Sequence, residues 1–130
     1  MNYDDFKNTI VGKYKVHLEE SVPGNQFIDR QLHISDPFEG GQRLGFVVGF
    51  NRDGQLSFLA VDGTRMGRFN IAEGYTSDDI LKVAQNILEG GLVIEPSRIL
   101  RKQRLIFNTS QGKLFIRLNK NIDEKPYEKC

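Results

Sequence analysis

Apolar and polar positions change their period several times along the chain, and each change predicts an element. Asn2 caps a short helix running to about Val11, with Asp4 and Asp5 near its positive end and Phe6 and Ile10 on one face. From residue 13 the period becomes two. Tyr14, Val16 and Leu18 alternate with Lys13, Lys15, His17 and Glu19, which predicts a half-buried strand over 13–20. Residues 21–25 (SVPGN) break the chain, and 27–34 form a weaker strand with Ile28, Leu32 and Ile34 on one face. Residues 36–41 (DPFEGG) read as a loop.

Three apolar runs follow, 44–50, 55–61 and 64–71, joined by 51–54 (NRDG) and by Asp62-Gly63. An Asp-Gly pair between apolar runs signals a hairpin because Gly accepts the positive φ of a tight turn. The runs therefore predict an antiparallel meander. With a two-residue turn, Leu59 faces Met66, Phe58 faces Gly67 and Leu56 faces Phe69. Leu44, Phe46, Val48 and Phe50 then share a face with Leu59, Val61 and Met66. Val47, Leu56, Phe58, Ala60, Phe69 and Ile71 fall on the other, where Gly45 and Gly49 leave room for something to approach. Both faces are apolar, so both are expected to be covered.

Residues 76–79 (TSDD) open an amphipathic helix, near 77–89, with Thr76 or Ser77 as cap. Ile80, Val83, Ala84, Ile87 and Leu88 form its buried stripe, and Gly90-Gly91 stops it. Strand character returns at 92–94, 99–107 and 113–118, with a turn at 108–112. The expected fold is α+β, with a short N-terminal helix, one longer helix and a curved antiparallel sheet of about six or seven strands. The sheet closes toward a barrel or pairs with another sheet or subunit. Residues 1–122 are expected to form a single domain and the polar tail, 123–130, to fray.

Composition narrows the function classes. A chain of 130 residues suits one domain that needs no disulfide or metal staple. No apolar run approaches the roughly 20 residues of a membrane helix. The acidic first residues do not read as a signal peptide, so the expected location is cytoplasmic and the triplet Asn108-Thr109-Ser110 reads as loop chemistry. A single Cys130 and two distant histidines suggest no disulfide and no metal site, and no motif implies a cofactor.

The formal net charge of +1 hides a polarised chain. Residues 1–92 carry 9 basic and 13 acidic side chains, a net of −4. Residues 93–121 carry seven cations against Glu95, a net of +6, and residues 122–130 carry −1. Arg98, Arg101, Lys102, Arg104, Lys113 and Arg117 are the candidate contacts for an anionic partner: a nucleic acid, a nucleotide-like ligand or an acidic protein surface. Lys and guanidinium groups hold phosphates by charge and forked hydrogen bonds, although cations also guard sheet edges against aggregation. The aromatic interleaving that marks single-stranded nucleic acid is thin, with only Phe107 and Phe115 nearby.

The expectation is thus a non-enzymatic binding module with no catalytic residue assigned. A protein-interaction or inhibitor-type module that self-associates through the second apolar sheet face, as a homodimer or larger assembly disrupted by a charge at Phe58, stays open. So does a small hydrolase or transferase using His17 or His33. His33-Ile34-Ser35-Asp36 has suitable residue types, but four consecutive residues cannot converge as a triad. Neither Glu39-Gly40-Gly41-Gln42 nor residues 63–67 (GTRMG) has the Lys-Ser/Thr of a phosphate loop. The loops at 35–42 and 21–25 are candidates to frame one ligand mouth.

Overall fold

In the computed structural model, which describes residues 1–24, 27–96, 103–119, 122–123 and 125–130, the first helix begins where its cap predicts. Asn2 Oδ1 accepts from the Asp5 N–H at 2.8 Å, and α1 spans Tyr3–Val11. Eight strands follow among the described residues: β1 (His17–Ser21), β2 (Arg30–Ser35), β3 (Phe46–Phe50), β4 (Leu56–Val61), β5 (Arg68–Asn70), β6 (Val93–Pro96), β7 (Gln103–Thr109) and β8 (Gly112–Arg117). The second helix, α2 (Ser77–Glu89), lies between β5 and β6. The fold is α+β, as expected. Its strands divide into a five-stranded antiparallel sheet, β1-β2-β3-β4-β5, and a three-stranded antiparallel sheet, β6-β7-β8, and the described residues form no closed barrel.

One core joins these parts. Phe6 and Ile10 of α1, the buried stripe of α2, the inner face of the larger sheet and Leu105, Phe107 and Ile116 of the smaller sheet belong to a single buried cluster. Phe69 links the sheets through an edge-on contact with Phe107, ring centroids 5.7 Å apart. Such aromatic pairs contribute about 0.5–1.5 kcal/mol beyond the area they bury.

The meander forms, but its register differs from the expectation. Phe46 faces Val61 and Val48 faces Leu59, so these residues share a face as expected. A bulge at Gly49/Phe50 then brings Leu56 opposite Phe50, on the core side. The β4–β5 connection occupies residues 62–67 instead of two. Thr64 Oγ1 donates to the Val61 carbonyl and accepts from the Gly67 N–H, closing the longer loop with a side chain. Leu59 consequently faces Phe69, which is fully buried, whereas Met66 is 82% exposed.

Those shifts shrink the second apolar face. Leu56 and Phe69 move to the core, leaving half-buried Val47 and Ala60 around Phe58. Phe58 is only 3% exposed, with the Arg68 guanidinium 4.1 Å from its ring centroid. The space left by Gly49 holds this ring: a Cβ there would lie 2.1 Å from Phe58 Cε1. The space at Gly45 holds the Asp62 carboxylate, 2.6 Å from where a Cβ would stand.

The tail, expected to fray, is anchored. Lys15 N–H donates to Glu128 O, Tyr127 N–H to Leu88 O and Cys130 N–H to Lys13 O. Tyr127 is buried, and its hydroxyl donates to Leu44 O at 2.8 Å. Burial, with the negative charges of Asp36 and Asp62, pushes this phenol far above its ordinary pKa, outweighing the nearby Arg43. No helix among the described residues is long and apolar enough to cross a membrane.

Candidate functional site

Strand alternation sorts the β7–β8 hairpin into two faces. Leu105 faces Ile116 and Phe107 faces Leu114 on the core side. The outer face carries Arg104 opposite Arg117, Ile106 opposite Phe115 and Asn108 opposite Lys113. Lys113, Phe115 and Arg117 are exposed, and Phe115 keeps 53% of its surface open. The Arg104 guanidinium lies 4.9 Å from the Phe115 ring centroid, a cation–π contact that holds the charge beside the aromatic surface. Residues 103–119 contain no acidic side chain, while Glu95 of β6 occupies the register position opposite Arg104.

Of the six sequence-predicted contacts, the structure brings Arg104, Lys113 and Arg117 onto one face. Arg98, Arg101 and Lys102 lie outside the described residues. The two neighbouring phenylalanines separate by burial: Phe107 is a core residue and Phe115 a surface one.

What orients this hairpin is a carboxylate that sequence reasoning assigned only to the start of α2. Thr76 is the helix cap, accepting from the Asp79 N–H, and Asp79 Oδ2 accepts in return from the Thr76 N–H. Asp79 also accepts from the Ser110 N–H at 2.8 Å and from the Ser110 hydroxyl at 2.5 Å. Ser110 sits in the β7–β8 turn, so one buried carboxylate ties the hairpin tip to the helix start. Burial alone raises its pKa, but the Ser110 and Thr76 hydrogen bonds outweigh burial and hold it down at about 2. Thr76 and Asp79 have the spacing of a capping box. The Ser110 partner, 31 residues away, leaves no local signal.

The two histidines sit on the outer face of the larger sheet. His33 Nε2 is 2.6 Å from Asp62 Oδ2, and His17 Nε2 is 3.0 Å from Glu19 Oε1. Glu19 faces His33 across the β1–β2 pair. The His17 hydrogen bond and charge lower the pKa of Glu19, with burial opposing them and His33 adding to them. Among the described residues, no hydroxyl or thiol hydrogen-bonds to either imidazole, and no three acidic, His or Cys side chains are grouped to hold a metal ion.

A cleft of about 360 Å³ lies at one end of the larger sheet, lined by Ser35, Gln42, Gly45, Asp62, Leu118 and Ile122 among others. Its Asp36 accepts from the backbone of Phe38 and Arg43 and from the Arg43 guanidinium. Burial raises the pKa of Asp36, but these bonds and the Arg43 charge bring it below the ordinary carboxylate value. The loop at 35–42 and residues 21–24 do not frame one mouth, and Asn25 lies outside the described residues. His17 pairs with Ser35 and Ser21 with Gln31, which puts Ser35 and Ser21 at opposite ends of the β1–β2 pair, and Ser21 and Val22 line a separate hollow with Tyr3 and Arg30.

No family model matches the chain, and neither the curated proteins nor the solved structures give a match.

Proposed function

We propose that the chain is a non-enzymatic binding module that recognises an anionic partner through the outer face of β7–β8. The observation that carries this is the sharing of one exposed strand face by Lys113 and Arg117, with Arg104 opposite Arg117 and no acid in residues 103–119. Lys113 and Arg117 are four residues apart on one strand, so their backbones stand roughly 13 Å from each other. That separation presents charges in a row suited to an extended polyanion. The +6 net charge of residues 93–121, against −4 for residues 1–92, supports the same orientation of a partner. Asp79 holds the hairpin tip at Ser110, so the backbone that carries the charges needs little ordering on binding.

Inorganic polyphosphate titrated against the full chain tests this. Two phosphate contacts, at Lys113 and Arg117, give a roughly 7- to 12-fold loss of affinity between 50 and 200 mM salt. Reversal of charge in a Lys113→Glu, Arg117→Glu variant is expected to abolish most binding, with the fold retained because both side chains are exposed. Absent binding, or binding indifferent to salt and to this variant, refutes the proposal.

A further inference from the structure

We infer that the anionic partner is single-stranded nucleic acid, with a base stacked at Phe115 and phosphates held by Lys113 and Arg117; this rests on the anion-binding role proposed above. The added observation is the aromatic ring between the cations. Phe115 stands two residues from each of them on the same strand face, and more than half of its surface is open. A cation row guarding a sheet edge has no need of an exposed ring at its centre. A phosphate-only surface gains nothing from one either.

The neighbours fit a stacked base. Arg104 places its guanidinium 4.9 Å from the ring centroid, so a planar cation and an aromatic ring form one patch. Bases stack on both kinds of surface. Ile106, opposite Phe115, supplies an apolar floor, and Asn108, opposite Lys113, is exposed with an amide that can donate to or accept from a base edge. The hairpin face is an open strand surface, and the cleft of the larger sheet is lined by a different set of residues. Unstacked bases reach such a surface. In a duplex they are turned inward and paired, so the ring has no base face to meet.

Stacking is sequence-tolerant because every base has a π-face, so the inferred partner is defined by its single-stranded form and not by a base sequence. The class also explains the combination of charges with a ring better than an acidic protein surface, which supplies carboxylates but no regular succession of planar rings.

The test uses the full chain with two probes, a fluorescein-labelled 12-mer of thymidylate read by anisotropy and inorganic polyphosphate in competition. Phe115→Ala is expected to weaken oligonucleotide binding about tenfold and leave polyphosphate binding unchanged. Phe115→Leu, which keeps apolar bulk without a ring, is expected to match the Ala variant. The chain has no Trp, so Phe115→Trp introduces a single indole at the site. Its emission is expected to be quenched by the oligonucleotide and not by polyphosphate, with oligonucleotide affinity retained. Equal effects of Phe115→Ala on both probes, no effect on either, or an unquenched indole overturns the stacking inference while salt-sensitive polyphosphate binding keeps the anion-binding role. Failure of both probes to bind wild-type protein overturns both.

Discussion

Replacing Asp79 by Asn removes one negative charge from the point where α2 begins and the β7–β8 turn meets it. The side chain is 5% exposed and accepts hydrogen bonds from Thr76 and Ser110. A carboxyl held at about 2 against its ordinary 3.8 corresponds to roughly 2 kcal/mol of stability at neutral pH. Screening near the helix start brings the expected loss in Asp79→Asn to about 1–2 kcal/mol. The sign follows from the depressed pKa. The contribution is fully present above the unfolded value near 3.8 and is lost as pH falls through about 2. Urea unfolding of wild type and Asp79→Asn, followed by far-UV circular dichroism at pH 7, 4, 3 and 2, measures it directly. The gap between the two proteins is expected to be constant from pH 7 to about 4 and to close toward pH 2. A gap below about 0.5 kcal/mol at pH 7, within the range of ordinary surface changes, refutes the reasoning. So does a gap of the same size at pH 2, because shape and not charge would then be responsible.

Two further perturbations examine the packing. Gly49→Ala drives a Cβ into the Phe58 ring and is expected to destabilise by about 1–3 kcal/mol; in a Phe58→Val background the same change should cost under about 0.5 kcal/mol, and additive losses in urea unfolding would show that the ring is not the obstacle. Tyr127→Phe removes the buried hydroxyl donor to Leu44 O and is expected to lower stability by about 1 kcal/mol; wild-type stability in this variant would mean that the tail is not held through that bond.

The parts of the fold that were legible in the sequence are those written in local periodicity and capping. The α2 stripe, its Thr76 cap and the Gly90 stop follow from 3.6-residue spacing and from a terminal glycine with positive φ. The alternation in residues 44–50 and 55–61 placed Phe46, Val48, Leu59 and Val61 on one face, without deciding which of them stand opposite one another. Position within the sheet was less accessible. One bulge and a Thr64-closed loop inverted the faces of Leu56 and Phe69, because a period of two carries no record of an inserted residue. The tail looked polar by composition, yet a single aromatic, Tyr127, and several backbone hydrogen bonds anchor it. In the candidate site, residue types and charge were visible from the start. The face shared by Lys113, Phe115 and Arg117 followed once β8 was placed, whereas the Asp79–Ser110 tie joins residues 31 apart and depends on tertiary packing.

Strand order equals chain order in both sheets, with every described neighbour pair joined by a direct antiparallel connection. Neither sheet therefore requires a crossover, and each hairpin closes a short loop whose entropy is modest. The long-range closures are the one that brings the smaller sheet, across α2, onto the larger one, where Phe69 meets Phe107, and the one that returns the tail to Lys13 and Lys15. The contacts of high sequence separation, the kind that slow folding, are therefore concentrated between the sheets and at the tail and not within either meander.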